Sequence, residues 1–393
     1  MVVRSGGRGA PRGAWQALTG HAVTSGLLPR INVFQHTILH KSPTLAVVSP
    51  PGELIGMETD RPPANLRAIT VGDRLEGDFL VQARADKTTR AGKGFALLTL
   101  ANATGTIDTA PLWEEQLPWI EGVARGALIA AVGEVDRYQG NEGGGKRQFR
   151  LTAPPRLLPR DQFHPEAFLP TIDVDPDKLW DKIDGFRAQL TTPRLRAAVD
   201  LFFADDDFRL RFARTPGATS GHHAQVGGLL LHVWEVTRVA LTIAQTVRKA
   251  NAELAIAGAL LHDIGKVEAY AVSPEGFDFT PTGRLLGHVT LGALMFDRRL
   301  VQAALPLTPA ERDELLHMIL SHHGALEYGS PVLPMTLEAE LVHWADEASA
   351  KSTDMIDEFA NPELFPADHG GGLSHARSWR LKRHLWQRPA PWG

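Results

Sequence analysis

The chain has 393 residues, 43% of them hydrophobic and 22% charged, enough to bury more than one core. Its formal net charge of −4 gives no overall positive field for nucleic acid, so any such contact needs a local basic patch. The absence of cysteine excludes disulfides and thiolate ligands and fits a cytoplasmic protein, and no stretch reaches the about 18 uncharged apolar residues of a membrane span.

Residues 1–56 are broken by Gly and Pro and hold no hydrophobic period. The composition changes at Met57, so residues 1–60 are expected to be a disordered extension, or Met57 the true start. Residues 67–153 read as strands and turns, with strands expected at 75–83, 94–100, 106–112, 127–135 and 147–152, the last after a Gly-rich loop at 140–145. With a helix at 114–123 between the third and fourth strands, this pattern predicts an OB-fold, which commonly binds single strands across strands 2 and 3. Phe79, Phe95, Trp113, Tyr138 and Phe149 are candidate stacking surfaces, and Lys87, Arg90, Lys93, Lys146 and Arg147 candidate contacts to a strand's backbone. Strand spacing assigns Phe79 and Phe95 to the core, which leaves Trp113, Lys87 and Lys93 as the expected substrate contacts.

Pro154, Pro155 and Pro159 mark a boundary, with a linker expected over 154–176. Residues 177–355 are helical in pattern. Leu229, Val233, Val236, Ala240, Ile243 and Val247 fall on one helix face. A second helix over 254–262 is ended by Gly265. Thr308-Pro309-Ala310-Glu311 is a capping box that opens a helix carrying Leu315, Leu316, Ile319 and Leu320, and Gly324 stops it just after His322-His323. Thr336 opens the next helix, with Leu337, Leu341, Trp344 and Ala348 as its stripe. Residues 356–393 read as a tail, in which Trp379 and Trp386 lie among basic residues from Arg377 to Arg388; a nucleic-acid contact, a docked amphipathic helix and disorder all fit.

Within the helical part, His232, His262, Asp263, His288, His322, His323 and Asp346 follow the order His … His-Asp … His … His-His … Asp. A lone His-Asp pair is weak, because 16 histidines produce one by chance. Imidazole and carboxylate suit divalent transition metals, and this set can hold two ions that share one carboxylate. Neighbouring side chains on a straight helix diverge by about 100°. His262-Asp263 and His322-His323 are therefore expected at helix ends, where both members can turn to one point. His232, His288 and Asp346 are expected to project from helix interiors into a bundle. Lys266 is either a charge that neutralises a phosphoryl oxygen or a solvated loop lysine. His317 and His343 read as bystanders, with His343 also placed to support a ligand from behind.

This constellation resembles the HD-domain superfamily of metal-dependent phosphohydrolases. The resemblance implies that His232, His262, Asp263 and Asp346 bind one ion and that Asp263, His288, His322 and His323 bind a second; Asp263 and, by its charge, Lys266 are the expected catalytic residues. The runs His222-His223-Ala224-Gln225-Val226-Gly227-Gly228, Gly283-Arg284-Leu285-Leu286-Gly287-His288 and His322-His323-Gly324 through Tyr328-Gly329-Ser330-Pro331 are similar to the YhaM-type 3′→5′ exoribonucleases, which also place an OB-fold before the HD domain. That resemblance covers roughly residues 66–355. It implies a multidomain chain, an all-β OB-fold barrel followed by an all-α HD bundle, that removes nucleotides from the 3′ end of single-stranded RNA, or of single-stranded DNA. Manganese is the expected metal, with cobalt, iron, nickel and zinc as alternatives. His223 is expected to contact a substrate phosphate or, with His222, to cap the long helix. A homo-oligomer is compatible with the sequence. Two rival functions fit the same residues: a phosphodiesterase on cyclic or small nucleotides, although the Gly-Tyr-Pro signature of the HD-GYP branch is absent, and a nucleic-acid-binding adaptor with a structural metal site.

Overall fold

The computed structural model describes residues 64–66, 68–137, 147–366 and 369–391. The expectations for residues 1–60, Tyr138, Lys146 and the loop 140–145 lie outside these.

The N-terminal part is one sheet of β1 (Arg74–Thr88), β2 (Gly94–Asn102), β3 (Gly105–Asp108), β4 (Leu112–Trp113), β5 (Leu128–Arg137), β6 (Arg147–Leu151) and β7 (Arg156–Leu158). Its order is β3-β2-β1-β5-β6, with β4 beside β2 and β7 beside β5. A parallel bridge between Thr109 and Phe149 brings the end beyond β3 to β6, so the sheet nearly closes into the OB-type barrel. A shift in the β1–β2 register between Val81 and Ala83 bends the long β1 and lets it serve both halves. Phe79, Val81, Leu98, Leu100, Ile107, Ile129 and Phe149 fill the interior.

Two expectations about aromatics are corrected by the period of two along a strand. Phe149 is fully buried 5.9 Å from Phe79, so it is core and no stacking surface. On β2 the inward residues are Ala96, Leu98 and Leu100, which turns Phe95 out of the core to pair with Trp113 at 5.1 Å between ring centroids. The segment expected as a helix at 114–123 forms only a 3₁₀ turn, Leu117–Ile120, opened by Pro118.

Residues 154–176 are packed along most of their length. β7 pairs with β5, and α1 (Pro165–Phe168) precedes a bridge between Thr171 and Val226. Phe168, Leu169 and Val226 meet Leu80, Ala101 and Leu128 of the barrel in one apolar cluster.

The helical part contains α2 (Pro176–Arg187), α3 (Pro193–Phe203), α4 (Asp206–Arg214), α5 (Gly228–Thr246), α6 (Ala252–Leu261) and α7 (Lys266–Ala269). A hairpin of β8 (Tyr270–Ser273) and β9 (Gly276–Phe279) follows, then α8 (Pro281–Gln302), α9 (Pro309–Ser321) and α10 (Leu337–Phe359). Local chemistry sets many of the starts. Asp175, Asp205, Asn251, Thr280, Thr308 and Thr336 each accept a hydrogen bond from a first-turn backbone N–H. The Thr308 capping box forms as the sequence indicates. Helix α6 has no polar face, since every residue from Leu254 to Leu261 is buried, and it is the central strut of the bundle.

The tail is folded, and no helix forms over 377–388 among the described residues. Leu364, Phe365 and Leu385 pack with Met355, Phe359 and Leu381 at the end of α10, and β10 (Gly372–Leu373) pairs with β11 (Trp386–Gln387). Among the described residues, no helix is long and apolar enough to cross a membrane.

Candidate metal centre

The buried Asp263 is the hub. It follows α6, where the helix ends at His262 and the chain turns through Gly265 into α7. One carboxylate oxygen, Oδ2, lies 3.3 Å from His232 Nε2 and 3.2 Å from His262 Nε2. The other, Oδ1, lies 3.4 Å from His288 Nε2 and 3.6 Å from His322 Nε2. Asp346 Oδ1 is 3.1 Å from His232 Nε2, and His323 Nε2 is 3.3 Å from His288 Nε2. The seven expected ligands thus converge as two groups, His232-His262-Asp263 with Asp346, and His288-His322-His323, joined by the Asp263 carboxylate.

The backbone explains the convergence. His232 and Asp346 project from α5 and α10, as expected for helix interiors. His262 and His322 are the C-terminal caps of α6 and α9. His288 differs from expectation: Gly287 has φ 71° and ψ 153°, so α8 is kinked there, and His288 opens its second half rather than sitting in a continuous interior. The turn after Asp263 comes very close to that segment. A Cβ on Gly265 would stand 2.0 Å from the His288 carbonyl oxygen, so only glycine lets the two ligand-bearing backbones meet.

Hydrogen bonds behind three of these imidazoles set their tautomers. His262 Nδ1 is 2.7 Å from Ala259 O, His322 Nδ1 2.7 Å from Ile319 O, and His323 Nδ1 2.6 Å from Tyr328 O. A carbonyl only accepts, so each Nδ1 donates its proton and Nε2 is left as a bare lone pair aimed inward. His288 Nε2 and His323 Nε2 stand 3.3 Å apart, and His232 Nε2 and His262 Nε2 3.4 Å, so each pair presents its ring nitrogens to one point. Both Asp263 oxygens and His322 Nε2 are buried without a hydrogen bond of good geometry. Lys266 Nζ approaches Oδ2 to 2.6 Å, which makes an ion pair without that alignment. Buried acceptors left this way are costly, and a divalent cation satisfies them together. The donor set therefore fits divalent metal.

The electrostatics agree. Burial would raise the Asp263 carboxyl, but the neighbouring Lys266 ammonium holds it well below its ordinary value. Asp346 is likewise held low against burial, chiefly by His232. Burial pushes His288 down to about 3 and His322 well below its usual range, so both are neutral imidazoles.

Lys266 is buried, which removes the reading of a solvated loop lysine. His223 is 4% exposed and does not cap α5, whose N-cap is Gly227. Its Nε2 lies 3.2 Å from Glu235 Oε2, 3.2 Å from Thr353 Oγ1 and 3.3 Å from Ser349 Oγ, with its ring 5.3 Å from that of His232. Glu235 and Ser349 were not visible as site residues in the sequence. Ser349 Oγ donates to Glu235 Oε2 at 2.7 Å and meets His232 Nδ1 at 3.0 Å, which orients that ligand. Their only signal was spacing, three residues after His232 and after Asp346 on the same helices. Tyr270, 6.4 Å from the His288 ring, lies beside the second group. His343 Nδ1 donates to His322 O at 3.0 Å and braces the turn, whereas His317 Nε2 accepts from Met335 N. Lys87 and Trp113 are gathered elsewhere, on the outer face of β1, β2 and β4, where both flank Phe95, and Lys93 lies in the turn just before β2.

Residues 229–351 match the model of the HD domain family. The 3′-5′ exoribonuclease YhaM of Bacillus subtilis (strain 168) is 29% identical over 285 residues, 72% of this chain and 87% of that protein. The YhaM of Oceanobacillus iheyensis is 28% identical, covering 72% of this chain and 86% of its own, and that of Geobacillus sp. (strain WCH70) is 29% identical, covering 73% and 85%. The chain carries an HD domain over residues 229–351, within which all the ligand-type side chains fall.

Proposed function

We propose that this chain is a metal-dependent 3′→5′ exoribonuclease that hydrolyses the terminal phosphodiester of single-stranded RNA, and of single-stranded DNA where it is offered. The observation that carries the reading is Asp263, a buried carboxylate whose two oxygens each face a separate histidine group and find no aligned hydrogen bond. Similarity to the YhaM proteins supports the choice of substrate.

His232, His262, Asp263 and Asp346 hold one ion and Asp263, His288, His322 and His323 the other, manganese being the preferred metal. Two such ions supply water activation and charge stabilisation in an in-line displacement. The protein does the rest. Carbonyl and hydroxyl partners fix the imidazole tautomers, so that Nε2 binds without rearrangement. Lys266 offsets the negative charge of Asp263 and is a fixed cation for a phosphoryl oxygen. His223, held by Glu235, Ser349 and Thr353, presents a polar edge beside the first group for the terminal phosphate. On the barrel, Phe95 and Trp113 offer a stacking pair, with Lys87 and Lys93 for the backbone of the incoming strand. The cytoplasm, where such RNA lies, is the place of action.

The test uses 5′-labelled single-stranded RNA, Mn²⁺ and a denaturing gel, with Asp263→Ala as control. A ladder that shortens from the 3′ end, absent in the control, is expected. Chelation should also lower the Tm of the wild type and restored metal raise it, with no such response in Asp263→Ala. Intact RNA from a preparation that shows the metal-dependent Tm and cleaves a cyclic dinucleotide would overturn the exonuclease reading.

A further inference from the structure

We propose that the folded C-terminal segment, residues 377–388, is a second contact surface for single-stranded nucleic acid, set at the rim of the metal centre and separate from the barrel. The proposal rests on the nucleic-acid substrate argued above.

Composition is the first observation. No Asp or Glu occurs from residue 369 to 391, while Arg377, Arg380, Lys382, Arg383 and Arg388 do. In a chain of net charge −4, this is a local basic patch of the kind a polyanion requires. The second observation is exposure. Trp379 and Trp386 are 76% and 63% exposed although the segment beneath them is packed. Tryptophan offers the largest flat apolar face of any side chain, and its exposure among cations matches what binds successive bases and phosphates.

The third observation is that the surface is built. Ser378 N donates to Arg383 O at 2.9 Å, and Leu381 N to Ser378 Oγ at 3.1 Å, closing a turn with Trp379 near its tip. Lys382 holds φ 53° in that turn. Leu381 and Leu385 anchor it to α10.

The fourth is location. Arg380 is spent as an anchor, with its guanidinium 3.5 Å from Asp354, 3.6 Å from Asp357 and 3.8 Å from Glu358. The same guanidinium lies 3.9 Å from where a Cβ of Gly221 would stand, and 5.6 Å from the Trp379 ring. Asp354 Oδ2 in turn meets His222 Nδ1 at 3.5 Å, and the His222 ring is 6.4 Å from that of His232. Trp379 therefore stands next to Arg380, which reaches Gly221 and, through Asp354 and His222, the first ligand group. A strand whose terminal phosphate reaches the metals passes this turn, stacks a base on Trp379, and places phosphates near Lys382 and Arg383.

The experiment measures fluorescence anisotropy of a labelled oligouridylate of about 15 nucleotides with full-length Asp263→Ala protein, in which the strand is not consumed. Trp379→Ala is expected to weaken binding about fivefold or more, and Trp379→Phe to retain most of the affinity. Lys382→Gln/Arg383→Gln is expected to reduce the dependence of log Kd on log salt by about 0.7 per lost contact. These side chains are exposed, so the fold should survive, and unchanged Tm values check it. Unaltered affinity and salt slope in all three variants would overturn this proposal alone. Loss of binding to vesicles of anionic phospholipid, with oligonucleotide affinity unchanged, would also overturn it, in favour of a membrane contact. Failure of the parent protein to bind the oligonucleotide would overturn the nucleic-acid reading and this proposal with it.

Discussion

A single methyl group at Gly265 tests how the two ligand groups are held in register. Its Cβ would stand 2.0 Å from the His288 carbonyl oxygen, 2.4 Å from Gly292 N and 2.9 Å from Gly292 Cα. These are backbone atoms of α8, so no change of rotamer relieves the clash. To recover ordinary contact at 3.4 Å, starting from 2.0 Å, the segment must retreat by 1.4 Å. His288 rides on that segment, 3.4 Å from the Asp263 oxygen it faces. Misplacement by about 1 Å costs roughly 10²-fold in rate, and forced overpacking costs about 1–3 kcal/mol. At about 2–4 °C per kcal/mol for domains of this order of size, Gly265→Ala should melt several degrees lower. Scanning calorimetry and initial rates on labelled RNA with Mn²⁺ measure both effects. Gly185→Ala is the companion variant, because its Cβ meets nothing within 4 Å on an exposed position of α2. It should gain up to about 1 kcal/mol from helix propensity. Wild-type Tm and rate in Gly265→Ala would show that the close approach is soft and that it does not position His288.

Ser349→Ala removes the hydroxyl behind His232 and should weaken metal binding about 10–100-fold, read by titrating Mn²⁺ against Tm or activity; an unchanged affinity would dismiss the orienting role. Trp113→Ala should raise KM on oligonucleotides by about 5- to 150-fold with kcat nearly constant, and a fall in kcat at constant KM would contradict a strand-guiding surface. Burial would raise the Asp184 carboxyl, but Arg209 and Arg187 hold it below its ordinary 3.8. The unfolded chain then takes up the proton first, so this stabilisation is complete above the unfolded value and is lost as pH falls through 3.8 toward the folded one. Asp184→Asn should flatten the acid limb of Tm against pH in that window, and parallel limbs for the two proteins would refute the assignment.

Much of this was legible because it was locally encoded. Thr308-Pro309-Ala310-Glu311 names its own helix start, and the convergence of His262 with Asp263 follows from a helix that ends there. Phe95 was misread because residues 94–100 place apolar side chains on both faces of the strand, and only pairing with β4 decides which face is inside. The kink before His288 was hidden because Gly287 sits in a run whose apolar spacing continues across it. Glu235 and Ser349 escaped notice because a Glu or Ser three residues from a histidine is common on any helix, and their meaning appears only when α5 and α10 lie side by side. The tail's fold depends on Leu385 reaching back to Leu364 and Phe365, a contact that no local pattern announces.

The short stretch that joins barrel to helices changes how this protein can be dissected. Val226 N donates to Pro170 O, and Ile172 N donates to Val226 O, so the chain on which His223 sits is sewn to residues ahead of α2. Val226 also belongs to the apolar seam shared with Leu80, Ala101 and Leu128. The barrel is therefore no detachable module. An excised helical fragment beginning at α2 would lose both stitches and bare the seam, and its failure to turn over substrate would say nothing about whether the barrel binds RNA. Divergence of the barrel is bounded in the same way: its outer face can drift, while Leu80, Ala101 and Leu128 must stay apolar for the histidines to stay in place.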